Sequence, residues 1–258
     1  MERLEKLKKL NAHLLAEMPD LQVEKVPETL AEQRKLFRAL MNVRPPMPLD
    51  KNFLQLQDEI LSAEVQERGV VKISDIADAE KNIKLWQGDI TRLEVDAIVN
   101  AANSALLGCF VPLHRCIDNA IHSAAGLQLR DACNNIMQAQ GHAEPTSKAK
   151  ITPAFNLPSK FVIHTVGPII PANRAPNKAE ENLLADCYKS CLEVAAKKNL
   201  RSIAFCCIST GEFHFPNRRA AEIAVEVVRN FVAENDLTVV FNVFKDLDLE
   251  IYRELLKA

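Results

Sequence analysis

The 258-residue sequence predicts an α/β fold with a helical N-terminal extension, and two observations carry that prediction. From Ile83 onward, short apolar runs rich in branched residues alternate with longer stretches of helical period. Alternation of this kind builds an α/β sandwich around a mixed or largely parallel sheet. Before about residue 80, glycine is nearly absent and three amphipathic stretches follow one another. The chain therefore divides into a helical extension over 1–80 and an α/β domain over 81–258.

In the extension the stretches run Met1 to Met18, Pro27 to Met41 and Asp50 to Arg68. In the second, Leu30, Leu36, Leu40 and Met41 fall near helical spacing. Pro27 suits its start, and Pro45-Pro46 suits its stop. Packing on the main domain is the expected role, and a partner-binding module is the alternative. In the domain, IKLWQG (Ile83 to Gly88) reads as a short strand and AIVN (Ala97 to Asn100) as a buried one. A helix follows Cys116 and leads into Leu127 to Gln140, closed near Gly141. AKITPAF and KFVIHTV read as strands separated by Asn156 to Ser159. Asn177 to Lys198 reads as a helix, SIAFCCIS as a strand and Asn217 to Asn235 as a helix. LTVVFNVF is the last strand, and Asp246 to Leu256 the last helix. Strand order is not legible from this pattern.

With 48% hydrophobic residues the chain can bury a sizeable core. A net charge of −2 gives no electrostatic case for a nucleic-acid or membrane surface, although backbone amides can still hold a single anionic ligand. The charged start MERLEKLKKL lacks the apolar centre of a signal peptide. No apolar run approaches the roughly 20 residues that span a bilayer. Seven cysteines, an odd count without a secretion signal, argue against a disulfide framework and for the cytoplasm. Cys133, Cys187, Cys191, Cys206 and Cys207 fit ordinary buried thiols.

Function is concentrated in NAANSALLGCFVPLHRCIDNAIH, Asn100 to His122. It passes from a strand through a loop to a helix, where α/β proteins place ligands against free N–H groups. Cys109, His114 and Cys116 bring two potential thiolates and an imidazole into eight residues. Three protein ligands with an open position is the catalytic zinc arrangement. From spacing alone, metal binding and two incidental cysteines beside a surface histidine stay equally open. Asp118 is either a first-turn carboxylate favoured by the helix dipole or a group orienting a water or ribose hydroxyl. His122, one turn on, fits a satisfied core histidine equally well. Ser209-Thr210-Gly211-Glu212-Phe213 follows a strand with small residues, whose amides can close on a phosphate or simply form a turn. Asp89 is a strand-end carboxylate.

GDIT (Gly88 to Thr91), IVNAAN (Ile98 to Asn103), IDNAIHSAAG (Ile117 to Gly126) and STGEFHFP (Ser209 to Pro216) together resemble the macrodomain family, over roughly residues 81–258. The resemblance implies a three-layer α/β/α fold that binds ADP-ribose, with some members hydrolysing it from modified proteins. One departure stands out. The glycine run of the common hydrolases is replaced by the longer GCFVPLHRC, similar to the zinc-dependent macrodomains associated with class M sirtuins, which carry a helical N-terminal extension. For this chain the resemblance implies one zinc ion held by Cys109, His114 and Cys116. Asp89 would accept the adenine amino group, aided by the Ile90 amide, with Phe244 stacked on the base. Ser209, Thr210, Gly211 and Phe213 would form a phosphate loop. Ile117 and Asp118 would lie against ribose and diphosphate, and Asn103 would touch the distal ribose. Asp118 is the acid–base or water-orienting candidate. The implied activity is zinc-dependent removal of mono-ADP-ribose from proteins. A non-catalytic ADP-ribose-binding module, an O-acetyl-ADP-ribose deacetylase and a scaffold working through its helical head are the alternatives.

Overall fold

The computed structural model describes residues 1–23, 25–171 and 174–257. Three helices come first: α1 (Arg3–Glu17), α2 (Leu30–Val43) and α3 (Lys51–Arg68). Thr29 caps α2 by accepting from the Glu32 amide at 3.3 Å, so the helix opens at Leu30 rather than at Pro27. It ends just before Arg44, which precedes a proline and is held extended. Asp50 caps α3 through the Phe53 amide at 2.8 Å. Leu7, Leu10 and Leu14 of α1, Phe37 and Leu40 of α2, and Phe53 and Ile60 of α3 share a small core of their own. Leu127, from the α/β domain, plugs into it.

The chain continues through β1 (Val71–Lys72), β2 (Asp78–Glu80), β3 (Ile83–Gln87), β4 (Leu93–Glu94) and β5 (Ala97–Ala102). Next come α4 (Ile117–Ala125), α5 (Leu127–Gln140), β6 (Ala149–Pro153), β7 (Phe161–Val166) and α6 (Lys178–Lys197). The chain finishes with β8 (Ser202–Phe205), α7 (Asn217–Glu234), β9 (Thr238–Val243) and α8 (Asp246–Leu256). β1 and β4 form a separate parallel pair, and the other strands make one sheet of order β2-β3-β9-β8-β5-β7-β6. The five inner strands are parallel and the two edge strands antiparallel. β5, β7, β8 and β9 are nearly continuous apolar runs because both faces of the sheet are covered. α4 and α5 form one layer, and α6, α7 and α8 the other. The fold is thus a three-layer α/β/α sandwich with a mixed sheet and helices at its N-terminus.

Two features position the site. β5 pairs with β8 only at Ala97–Ile203 and Ile98–Ala204, beyond which the strands diverge. β8 accordingly stops at Phe205, so Cys206 and Cys207 lie past its end, although SIAFCCIS predicts a strand that runs through them. Gly126, at φ +96°, breaks the helix after Cys116 into α4 and α5. A Cβ there would fall 2.7 Å from the Gln57 amide nitrogen. That close approach lets the buried Gln57 of α3 accept from the Leu127 amide at 2.9 Å.

Candidate active site

Where β5 and β8 part, the chain turns opposite ways across the sheet, and the crevice lies at the C-terminal ends of the strands. This is where open α/β sheets bind ligands. The cleft measures about 410 Å³, within the range of small-molecule sites. Gly88, Asp89 and Ile90 wall one end beside Phe244, Cys116 and Ile117 wall another side, and Ser209 to Phe213 form the facing loop.

At the first end, the Asp89 carboxylate is held from both sides. Its Oδ1 accepts from the Thr91 amide at 3.0 Å and the Thr91 hydroxyl at 2.7 Å. Its Oδ2 accepts from Arg68 of α3 at 3.1 Å. Phe244 follows directly on β9 with its side chain free, 75% of the residue exposed. In the facing loop, Ser209 adopts φ +65° and its carbonyl accepts from the Phe215 amide at 2.9 Å, folding the segment back on itself. Gly211 has open space around it.

The Cys–His loop closes the cleft from the α4 side. Gly108, at φ +80°, starts it by lying against His122, so close that a Cβ would meet the ring at 2.9 Å. The ligand atoms of Cys109, His114 and Cys116 all lie within 4.8 Å of one another. His114 Nδ1 is 3.6 Å from Cys109 Sγ. Zn–S and Zn–N bonds of tetrahedral zinc place sulfur and nitrogen about 3.6 Å apart, so donor types and spacing fit such an ion. His114 Nε2 faces Glu212 across the cleft at 3.8 Å. Cys116 Sγ accepts from the Asn119 amide at 3.4 Å and so caps α4, a role the sequence assigns to no cysteine. Burial, with help from Cys109 and Asp118, pushes its thiol up to about 12. A cation bound beside it reverses that balance.

Asp118 is 5% exposed and lies behind the loop rather than on the cleft wall. Its Oδ1 accepts from Asn100 at 2.8 Å and its Oδ2 from Asn103 at 3.4 Å. Burial pushes its carboxyl up to about 6, against the bond from Asn100. Asn103 Nδ2 also donates to the Gly108 carbonyl at 3.0 Å, linking the carboxylate to the start of the loop. Deeper in, Asn100 Nδ2 lies 3.2 Å from His164 Nδ1, and His164 Nε2 lies 2.9 Å from the Thr152 hydroxyl. Burial drives His164 down to about 3, so it is neutral.

The fold therefore gathers Asp89, Ile90, Ile117, Ser209, Thr210, Gly211, Phe213, Phe244 and Cys116 around one cleft, with Cys109 and His114 beside it. Asp118 and Asn103 meet each other behind that surface. Sequence reasoning missed Arg38, Asn42 and Arg68 of the extension, and His164 of β7. Nothing local marks the first three as site residues. A histidine within an otherwise apolar buried strand was the available signal for the fourth.

The architecture and cleft define an α/β/α domain with a ligand site at its switch point. Residues 99–224 match the Macro domain family. The chain is 49% identical over 250 residues to the protein-ADP-ribose hydrolase of Treponema medium, covering 95% of each chain. It is 41% identical to a probable bifunctional ADP-ribose hydrolase/ADP-ribosyltransferase of Fusarium oxysporum, covering 88% of this chain and 41% of that one. Among solved structures it is similar to the Trypanosoma brucei macrodomain in complex with ADP-ribose. The TM-score there is 0.67, at 28% identity, over 85% of this chain and 94% of that one. The chain belongs to the macrodomain family, in its protein-ADP-ribose hydrolase branch.

Proposed function

We propose that this protein is a zinc-dependent hydrolase that removes mono-ADP-ribose from modified proteins and releases free ADP-ribose. The observation that carries this reading is the convergence of Cys109, His114 and Cys116 beside a cleft of nucleotide size. The names of its relatives supply the hydrolase and the ligand.

In this reading adenine lies between Asp89 and Phe244, with the Ile90 amide assisting. The carboxylate, its two oxygens already fixed, keeps lone pairs for the exocyclic amine. The backbone of Ser209, Thr210, Gly211 and Phe213 wraps the diphosphate without needing cationic side chains. The distal ribose then reaches Ile117 and the Cys–His loop. The bond to be broken is the one from its anomeric carbon to the protein, through a transition state with oxocarbenium character. Cys109, His114 and Cys116 would hold the zinc, which supplies Lewis-acid chemistry toward a sugar oxygen or a water. Asn103, behind the loop, would act on the distal ribose through the Gly108 carbonyl and Asp118 that its amide holds. Asp118, tied to Asn103 and set at the start of α4, is the proton-handling group. Two thiolates and a neutral imidazole balance the ion's charge.

The substrate must be made by an ADP-ribosyltransferase, which the macrodomain subgroup implies to be of sirtuin type. The Fusarium relative, named for both activities in one chain, supports the pairing. Among the described residues no helix is long and apolar enough to cross a membrane. The free cysteines suit a reducing compartment, and we assign the protein to the cytoplasm.

The test is metal content of the purified protein, with release of ADP-ribose from a modified protein before and after chelation. The expected result is stoichiometric zinc and release that stops on chelation and returns with zinc. Full release from zinc-free protein removes the metal from the reaction. Tight ADP-ribose binding with no release at any zinc level makes the protein a reader instead.

A further inference from the structure

We propose that helix α2 of the N-terminal extension is a working part of the site, with Asn42 and Arg38 as positioning residues for His114. The inference rests on the zinc reading above and adds a feature outside the α/β domain.

The residue before His114 is the key. Leu113 has φ +58°, a conformation that branched L-residues rarely adopt. Something must hold it, and Asn42 does. Its Oδ1 accepts from the Leu113 amide at 2.9 Å, across 71 residues of sequence. Asn42 is buried, and its Nδ2 donates to the Ser123 hydroxyl at 2.9 Å. The Leu113 N–H can only donate, and that fixes which way the amide points: its oxygen faces Leu113 and its nitrogen the Ser123 hydroxyl. One helical turn earlier on the same face, Arg38 Nη2 donates to the His114 carbonyl at 3.3 Å and to Asn119 Oδ1 at 2.8 Å. Asn119 in turn donates to the Val111 carbonyl at 3.1 Å. The backbone on both sides of His114 is thus fastened to α2, while its imidazole stays free to face Cys109. Groups that orient a ligand without touching the ion are worth about 10–100-fold in metal affinity.

The experiment uses the full chain and four variants: Asn42→Leu, Asn42→Asp, Ser123→Ala and Arg38→Met. Zinc affinity is measured by competition with a chromogenic chelator, and protection of the Leu113 amide by hydrogen exchange on zinc-free protein. Melting temperatures of the zinc-free proteins report general packing. Asn42→Leu should weaken zinc binding about 10–100-fold and strip the Leu113 amide of protection. Asn42→Asp, which keeps an acceptor there, should restore most of both. Ser123→Ala should stay close to wild type, and Arg38→Met should weaken zinc binding while leaving Leu113 protected. Should Asn42→Leu fail to fold, Arg38→Met against Asn42→Asp carries the comparison. The inference is overturned if Asn42→Leu binds zinc as wild type does. It is equally overturned if affinity falls in step with melting temperature across all four variants. A wild-type chain that takes up no zinc overturns the metal reading and this inference with it. Zinc affinity indifferent to α2 overturns the inference alone.

Discussion

Arg68 comes from the helical extension, yet it holds the carboxylate that we assign to adenine, so removing its charge should alter nucleobase recognition. Arg68→Met keeps the length of the side chain and removes the ion pair with Asp89. Both partners are partly solvated, at 38% and 39% exposure. Pairs of that kind are worth about 0.2–1 kcal/mol, which converts to a loss of roughly 1.4- to 5-fold in ADP-ribose affinity. Asp89→Ala removes the charged acceptor itself. A hydrogen bond to a charged group is worth about 1.5–3 kcal/mol, so the loss there should be roughly 10- to 150-fold. Calorimetric titration with ADP-ribose and with its hypoxanthine counterpart separates the two cases, because hypoxanthine carries a carbonyl where adenine carries an amine. The wild type should prefer ADP-ribose, Arg68→Met should narrow the preference, and Asp89→Ala should abolish it. If Asp89→Ala weakens both ligands equally, or Arg68→Met costs more than Asp89→Ala, the assignment of this end of the cleft to adenine is wrong.

Phe244→Ala should weaken ADP-ribose binding by about 1–3 kcal/mol, the worth of stacking on a base, with melting unchanged because the ring packs on little protein. Equal binding in a direct titration would remove the stack. Phe37→Ala should destabilise the whole chain by about 3–5 kcal/mol in denaturant unfolding, since the ring is fully buried among α1, α2 and α3. A cost near zero would mean that the three helices do not pack as one core. His164 should give the protein an acid limb. Burial holds its folded pKa at about 3, below the unfolded value of about 6.5, so between those values the unfolded chain binds the extra proton. Stability is therefore lost as pH falls from about 6.5 toward 3, on the order of a few kcal/mol, and His164→Asn should flatten that limb. The neighbouring His122 is lowered in the same sense, while Cys133, pushed up to about 12, stays neutral across the window. An unchanged pH profile in His164→Asn would assign the limb to other groups.

The parts of this protein that were legible in its sequence are those encoded locally. Cys109, His114 and Cys116 were visible as a candidate set because they fall within eight residues, although an extended stretch of that length could separate its ends by more than roughly 20 Å. α6 was readable from its period, and its cap is the Asn177–Glu180 reciprocal pair that such a helix start needs. β5, β7 and β9 were readable as nearly continuous apolar runs. β1, β2 and β4 were not, since two or three residues carry no period. The run SIAFCCIS looks uniform in composition, yet the strand ends at Phe205 because β5 has turned away and offers no further pairing. Strand order depends on which runs become neighbours, a long-range matter on which local pattern is silent. Arg38, Asn42 and Arg68 escaped for the same reason. On the sequence they are polar positions of amphipathic helices, and only docking of the extension brings Arg38 and Asn42 against the Cys–His loop and Arg68 against Asp89. Asp118 lay between two readings, and the structure shows the first of them: a carboxylate in the first turn of α4, bonded to Asn100 and Asn103.

Arg130 of α5 stands where the layers meet. Its guanidinium donates to the Leu107 carbonyl at 2.7 Å and the Met41 carbonyl at 2.8 Å, and also to the Arg44 carbonyl. Leu107 leads into the Cys–His loop, and Met41 and Arg44 end α2. A buried cation shared in this way makes lifting the helical head costly, because it would strand the charge without partners. Head and sandwich should consequently melt as one cooperative body, in a single calorimetric endotherm. Breathing at their seam would be felt at the reaction centre before either part came apart.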